Sequence, residues 1–480
     1  MSVGRDTGYN LAAALAPVVL ALVVTPFYLH LIGPDRFGIL AICWTIVGAL
    51  SFASLGMGPA LGYRLALMDS APVAARSNLF WAAVFTSLSA SLAGALMVLA
   101  VARLYFQELA FVPPGLRNEI GAASIYLALL LPLGTLIGVL AGAFQGRKRF
   151  GLLSFVSIVN VSLGAILPLA VANLGNVNLA ALIKATVVAY AIVVVVELAI
   201  CSRIVPLRLP GRIRFGEVKS LLNFGAWMSV TAFIAPLLLV VDRLVLGVLR
   251  GPTAAAIYVL AYNMLLGVLY IPSSLSSAML PRLAPLKLEA DVDDLQSEWL
   301  LWLNGVLTPL VLVGIALSPP FFRLWIGPTL GGQAAPVATV LLLGCWFHGI
   351  SQIASAVVIG RSRPDIQTKL LLVLLAPYLA LLYFATERFG VMGAAAAWTI
   401  RAAFDPVLFR FTKPRAADLL TVSVSGVLVL AAMTAALTLS WTTWPYWGVM
   451  ASLLAAACYQ NRAILLDSLA NVRLAASQGA

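Results

Sequence analysis

The stretch WTIRAAFDPV, residues 398–407, sets Arg401 and Asp405 one helical turn apart inside a run otherwise suited to lipid. Residues at that spacing share a helix face. A charge near the bilayer centre costs about 2.5–3.5 kcal/mol on insertion scales, so something must offset it. A guanidinium is a planar fork that grips phosphate or carboxylate oxygens in two places at once. Asp242 and Arg243 interrupt a second apolar run, LLLVVDRLVLG. As neighbours on a helix they point about 100° apart, so at least one needs a partner elsewhere. Lys184 sits near one end of a further run and Arg64 closes another. Arg401, Arg243, Arg64 and Lys184 are therefore expected to line a cationic cavity for an anionic ligand. Asp405 and Asp242 would tune its charge or hold a coupling ion, H⁺ or Na⁺. The competing expectation for Arg401 and Asp405 is an internal salt bridge that locks helices. For Lys184 and Arg64 it is that long side chains snorkel to the headgroups.

The elements that hold these residues follow from composition. The chain has 480 residues, 62% of them apolar and 10% charged, with mean hydropathy +1.02. Soluble domains run at roughly 25% charged and 45–50% apolar. So few charges cannot cover so apolar a core in water, and the chain reads as an all-α polytopic membrane protein. The net charge of +12 is spread between apolar runs rather than gathered into a stripe, which argues against nucleic acid. Cys43, Cys201, Cys345 and Cys458 are far apart, and His30 and His348 look isolated. No disulfide framework, metal site or cofactor is expected. The first apolar run is too long for a leader peptide and long enough to span, so it reads as a retained helix.

About 14 runs reach spanning length, among them 11–32 with 37–60, and 370–386 with 391–411. They group as an N-terminal lobe at 1–200, a basic connector at 201–225, a C-terminal lobe at 226–411, and two further helices with a tail at 412–480. Most Lys and Arg fall on one side of this arrangement, which places both termini in the cytoplasm. No loop is long enough to fold alone, so the chemistry belongs among the helices. The two lobes echo each other. The first opens on a helix with Pro17 and Pro26 followed by LIGPDRFGILA, the second on a helix with Pro236 followed by VLGVLRGPTAAAIYVLA. Gly33 and Gly247 take corresponding places. Proline bends a span and frees backbone groups, and interrupted helices at matching places in two halves point to a transporter's site.

Several segments resemble one family. They are the opening NLAAALAPVVLALVVTPFYLHLIGPDRFGILA, SLGMGPALGYRLA at 54–66, AFQGRKRFG at 143–151, VVDRLVLGVLRG, PRLAP at 281–285, FFRLWIGP at 321–328 and RFGVMGAAAAWTI. In order and spacing these resemble the polysaccharide transporter family. Its members include the Wzx-type O-antigen and exopolysaccharide flippases of the multidrug/oligosaccharidyl-lipid/polysaccharide (MOP) superfamily. Arg64 matches the family pattern, while Ser54 stands where an acidic residue is usual. The resemblance implies two six-helix bundles around a central cavity, with two added C-terminal helices. It also implies a non-enzymatic flippase that works by alternating access in the bacterial inner membrane. Its ligand would be undecaprenyl pyrophosphate bearing an oligosaccharide repeat unit, with an H⁺ or Na⁺ gradient as the drive. A monomer would suffice, with a polysaccharide polymerase and chain-length machinery as partners. The alternatives are a multidrug/cation antiporter, a lipid II flippase, and a membrane-embedded polymerase or ligase. The last would need catalytic groups at the outer face, where only scattered residues such as Glu108, Arg117, Arg323 and Glu387 occur.

Overall fold

The computed structural model describes residues 3–49, 56–68, 72–204, 240–283, 289–361 and 363–462. Backbone groups in hydrocarbon must find partners within their own segment, and the chain answers with helices. In order these are α1 (Val3–Ala49), α2 (Met57–Ala66), α3 (Val73–Arg103, ending in a π turn), α4 (Pro114–Gly146), α5 (Phe150–Asn173) and α6 (Leu179–Ile204). Residues 240–250 form α7. Then come α8 (Pro252–Leu283), α9 (Glu289–Ile326), α10 (Pro328–Gly360), α11 (Pro364–Phe404), the short α12 (Phe409–Thr412), α13 (Ala416–Thr438) and α14 (Trp444–Gln460). Nine helices among the described residues are long and apolar enough to cross a membrane, so this is a multi-pass membrane protein. Most of the basic connector, and Pro236 with it, lie outside the described residues.

Glycines with positive φ make the corners. Gly33, Gly251 and Gly327 have φ of 77°, 82° and 86°, and each is followed by a proline. Glycine ends one helix in a conformation closed to other residues, and proline opens the next where its missing N–H costs nothing. Gly390, φ 61°, breaks α11 in the same manner without a proline. The turn there is tight, because a Cβ on Gly393 would overlap the carbonyl of Ala385. In a straight helix those residues would lie about 12 Å apart. The expected spans 11–32 and 37–60, and 370–386 and 391–411, thus meet at Gly33 and Gly390. Pro17 and Pro26 are half-buried inside the first of them.

The repeat needs one correction. The counterpart of Gly33 is Gly251, not Gly247, since Gly251 carries the positive φ and precedes a proline. Gly247 lies within α7 and serves close approach instead. The Tyr105 hydroxyl donates to the carbonyl of Leu244 at 2.8 Å, and any Cβ at 247 would collide with that hydroxyl.

The chain divides into two compact units, Met1–Ala256 and Ile257–Ala480, with the division inside α8. In the first unit α2 packs on α4 through glycines, Gly58 and Gly62 against Gly138, Gly142 and Gly146. A Cβ on Gly146 would stand 2.7 Å from the carbonyl oxygen of Gly62. Such spacing lets backbones meet, the usual means of joining helices where lipid removes the hydrophobic drive. Around this contact lies a buried cluster of Met57, Leu61, Phe80, Val139, Phe144 and Val193 with their neighbours. At the other end of these helices, Arg36 reaches Glu119 at 2.7 Å and Asp35 accepts from the Thr253 hydroxyl.

The second unit holds α13 and α14 by a seam of buried polar groups. Asn304 on α9 donates to Ser425 at 2.9 Å and to Asn461 at 3.1 Å. Thr308 donates to Asn304 and accepts from the Trp346 indole. Ser297 bonds Asp418, and the Tyr446 hydroxyl donates to the carbonyl of Ala316. The last two helices are therefore built into this unit.

Candidate functional site

In the second unit, α10 and the end of α11 are pinned together before they present any charge. The Thr399 hydroxyl donates to the carbonyl of Val340 at 2.9 Å. Gly344 makes room for Trp398, whose ring carbon would stand 2.6 Å from a Cβ there. Trp398 is fully buried and meets Tyr262 edge-on at 6.1 Å. Beyond Phe404 the chain tightens into a 3₁₀ turn, Asp405–Leu408, where Pro406 has no N–H to continue an α-helix.

This framework brings four polar side chains together. Asp405 Oδ2 lies 2.7 Å from His348 Nδ1 and 3.5 Å from Arg401 Nη2. His348 Nε2 stands 3.1 Å from the Gln352 amide nitrogen. That amide nitrogen can only donate, so the imidazole accepts through Nε2 and donates through Nδ1 to Asp405. His348, expected to be isolated, is thus the closer partner of Asp405. It comes from another helix, and nothing in its own neighbourhood of the sequence announces the pairing.

Arg401 is held differently. It is 6% exposed, with its guanidinium carbon 5.9 Å from the Trp398 ring and 6.0 Å from that of Tyr378. The rings hold the cation without using its N–H groups. Its Nε is buried and meets no hydrogen-bond acceptor among the described residues. Leaving such a buried donor unmade costs about 1–3 kcal/mol. In this conformation Arg401 and Asp405 form the internal pair that spacing predicts, but a loose one at 3.5 Å that leaves Nε without an acceptor among the described residues.

A cavity of about 560 Å³ adjoins the Asp405 turn, walled by Phe347, Pro406, Phe409, Val422 and Gly426 with Arg410 at its edge. Its lining is largely apolar.

The other expected site residues belong to the first unit. Asp242 is fully buried, and its Oδ1 accepts the backbone N–H of Arg243 at 2.8 Å. Arg243 is half-buried, whereas Arg64 and Lys184 are exposed. Among the described residues no group of three or more His, Cys, Asp or Glu side chains could hold a metal ion.

A family model described as polysaccharide biosynthesis protein matches residues 3–287. A Shigella flexneri protein provisionally named an O-antigen transporter is 24% identical over 421 residues, covering 86% of this chain and 98% of its own length. The uncharacterized membrane protein EpsK of Bacillus subtilis (strain 168) is 22% identical over 335 residues, 67% of this chain and 64% of its own. Among solved structures, the lipid II flippase MurJ in an inward closed conformation aligns with a TM-score of 0.76 and 13% identity, covering 96% of this chain and 99% of MurJ. An inward-facing multidrug resistance MATE family transporter of the MOP superfamily aligns at 0.64 with 14% identity, covering 88% and 96%. At such identities these two likenesses concern the fold, which is that of the MurJ and MATE transporters. With more than half of its length matched to the family model, the chain belongs to the polysaccharide biosynthesis protein family.

Proposed function

We propose that this protein is a flippase of the Wzx type, which carries undecaprenyl-pyrophosphate-linked oligosaccharide repeat units across the bacterial inner membrane by alternating access. Family membership and the relative named for O-antigen transport support the class. The observation that carries the site is Arg401, a buried guanidinium whose Nε meets no acceptor among the described residues, on the helix that leads into Pro406 at the wall of an apolar cavity. A pyrophosphate supplies the planar pairs of oxygens such a fork lacks. Asp405 need not follow Arg401 into that bond, because His348 already holds it at the shorter distance. An amphiphile with an anionic head and a long apolar tail suits both features. On this reading Arg243, Arg64 and Lys184 meet the carrier or its sugars at other stages. Both termini lie in the cytoplasm, and the polymerase and chain-length machinery receive the product.

The test is leaflet-resolved labelling in a host that lacks its own flippase. Labelled lipid-linked glycan should collect on the inner leaflet without this protein and reach the outer leaflet with it. Glycan that stays inside despite good expression would remove the reading. Restored viability in a host depleted of its lipid II flippase would instead favour that substrate, and resistance to cationic drugs would favour an antiporter.

A further inference from the structure

Glu197 is a buried acidic side chain outside the candidate site. It is 2% exposed, seven residues from the end of α6, or about 10 Å along the axis. Val193 and Cys201, one turn to either side, belong to the buried cluster with Leu61 of α2, Phe80 of α3, Val139 of α4 and Val156 of α5. Glu197 therefore faces the interior of that five-helix packing. Its Oε2 is buried without a hydrogen-bond partner, and no ion pair holds the carboxyl among the described residues.

Among the described residues, the charged groups at this end of the five helices sit at the rim. Arg64 ends α2, Arg76 opens α3, Arg147 follows α4, Arg149 precedes α5 and Arg203 ends α6. Arg64, Arg149 and Arg203 are exposed, while Arg76 and Arg147 are half-buried. Between α4's Tyr126 and the rim, α4 has no titratable group, and α5 has none over its whole length. On α6 itself the near neighbour is the buried Cys201 thiol, with Tyr190 two turns the other way. A bare carboxylate in such surroundings would be desolvated with nothing in return, whereas the neutral acid is tolerated. A metal cation would need several more oxygens than one carboxyl provides, and no such grouping exists among the described residues.

We propose that Glu197 is a proton-binding site whose carboxyl is protonated while α6 stays packed against α2 to α5, and releases the proton when that packing opens to water. A ligand shifts a conformational equilibrium by its differential affinity for the two states, and here the ligand is the proton. Opening the rim gives Glu197 water and the neighbouring cations, so the open unit favours the carboxylate. Proton binding and closure of the first unit are then one event. The link from this event to turnover rests on the flippase reading, while the protonation does not.

Infrared difference spectra of the full-length protein in lipid bilayers, taken at acid, neutral and alkaline pH, test the site directly. The wild type should show a protonated carboxylic acid band at neutral pH that Glu197→Gln lacks. Equal bands in both proteins, or none in the wild type, overturn the proposal. Surface polysaccharide in a flippase-deficient host tests its use. Glu197→Gln, which keeps size and neutrality, should unfold at the wild-type temperature yet export at least tenfold less. Export at the wild-type level overturns the coupling. A wild-type protein that restores no export sinks the flippase reading alone, since the spectra still decide Glu197.

Discussion

Arg36 and Glu119 meet through two contacts, Nη2 to Oε1 at 2.7 Å and Nε to Oε2 at 3.2 Å. The same Oε2 accepts the backbone N–H of Leu179 at 3.0 Å, at the first residue of α6. The corner after Gly33 is thereby tied to the start of α4 and of α6. Asp35 beside it reaches Thr253 at the start of α8. The motif LIGPDRF thus reads as a corner (Gly33, Pro34) followed by two tethers.

The pair is 29% and 16% exposed, so water screens it. A double-mutant cycle on Arg36→Ala and Glu119→Ala, read by thermal unfolding in detergent, should give a coupling of about 0.5–1 kcal/mol that shrinks as salt rises. Glu119→Gln should cost less than Glu119→Ala, because its amide oxygen still accepts from Leu179. Equal losses would show that the cap on α6 contributes nothing.

The glycine contact offers a test with an internal control. A Cβ on Gly142 would run into the carbonyl of Gly58, whereas one on Gly138, a turn away on the same helix, meets nothing within 4 Å. Gly142→Ala should lower stability by about 1–3 kcal/mol through overpacking. Gly138→Ala should be neutral or slightly stabilising, since alanine favours the helix by about 1 kcal/mol over glycine. Similar unfolding temperatures for the two variants would contradict the close approach.

How much of this was legible depended on whether its cause was local. Hydropathy marks the spans directly, and Gly-Pro pairs mark corners because the backbone chemistry sits in two adjacent residues. Arg401 and Asp405 could be paired from spacing alone, being one turn apart. His348 could not, because its partner lies 57 residues on and only the packing of α10 on the 3₁₀ turn joins them. The sequence pointed to Gly247 as the counterpart of Gly33, and only the positive φ of Gly251 moved the corner four residues on. The polar seam of α9 was equally hidden. Ser297, Asn304 and Thr308 have the spacing of one helix face, but isolated Ser, Asn and Thr in apolar runs do not reveal what they face.

That seam predicts how α13 and α14 are held. Interhelical hydrogen bonds in membranes average about 0.6 kcal/mol and reach roughly 1.7, and Asn304 makes three of its bonds in one buried place. Asn304→Leu should therefore lower stability by about 2 kcal/mol and raise protease sensitivity in the α13–α14 region. Ser423→Ala removes only an exposed bond within α13 and should change neither. A stable Asn304→Leu variant would show that apolar packing alone holds the last helices.

Arg401 carries the sharpest prediction. If its task is to grip paired oxygens, charge is not enough, because lysine offers a point charge without the planar fork. Arg401→Ala and Arg401→Lys should both reduce surface polysaccharide at least tenfold in a flippase-deficient host, with unchanged protein in the membrane. His348→Ala should be milder and act through Asp405, which then draws closer to Arg401 and occupies its donors. Adding Asp405→Asn to His348→Ala should then recover part of the loss, because the amide competes less for the guanidinium. If Arg401→Lys exports normally, the residue supplies only charge or packing, and the pyrophosphate must be held elsewhere. If the double variant is worse than His348→Ala, Asp405 is needed in its own right rather than as the competitor that the two distances to Oδ2 describe.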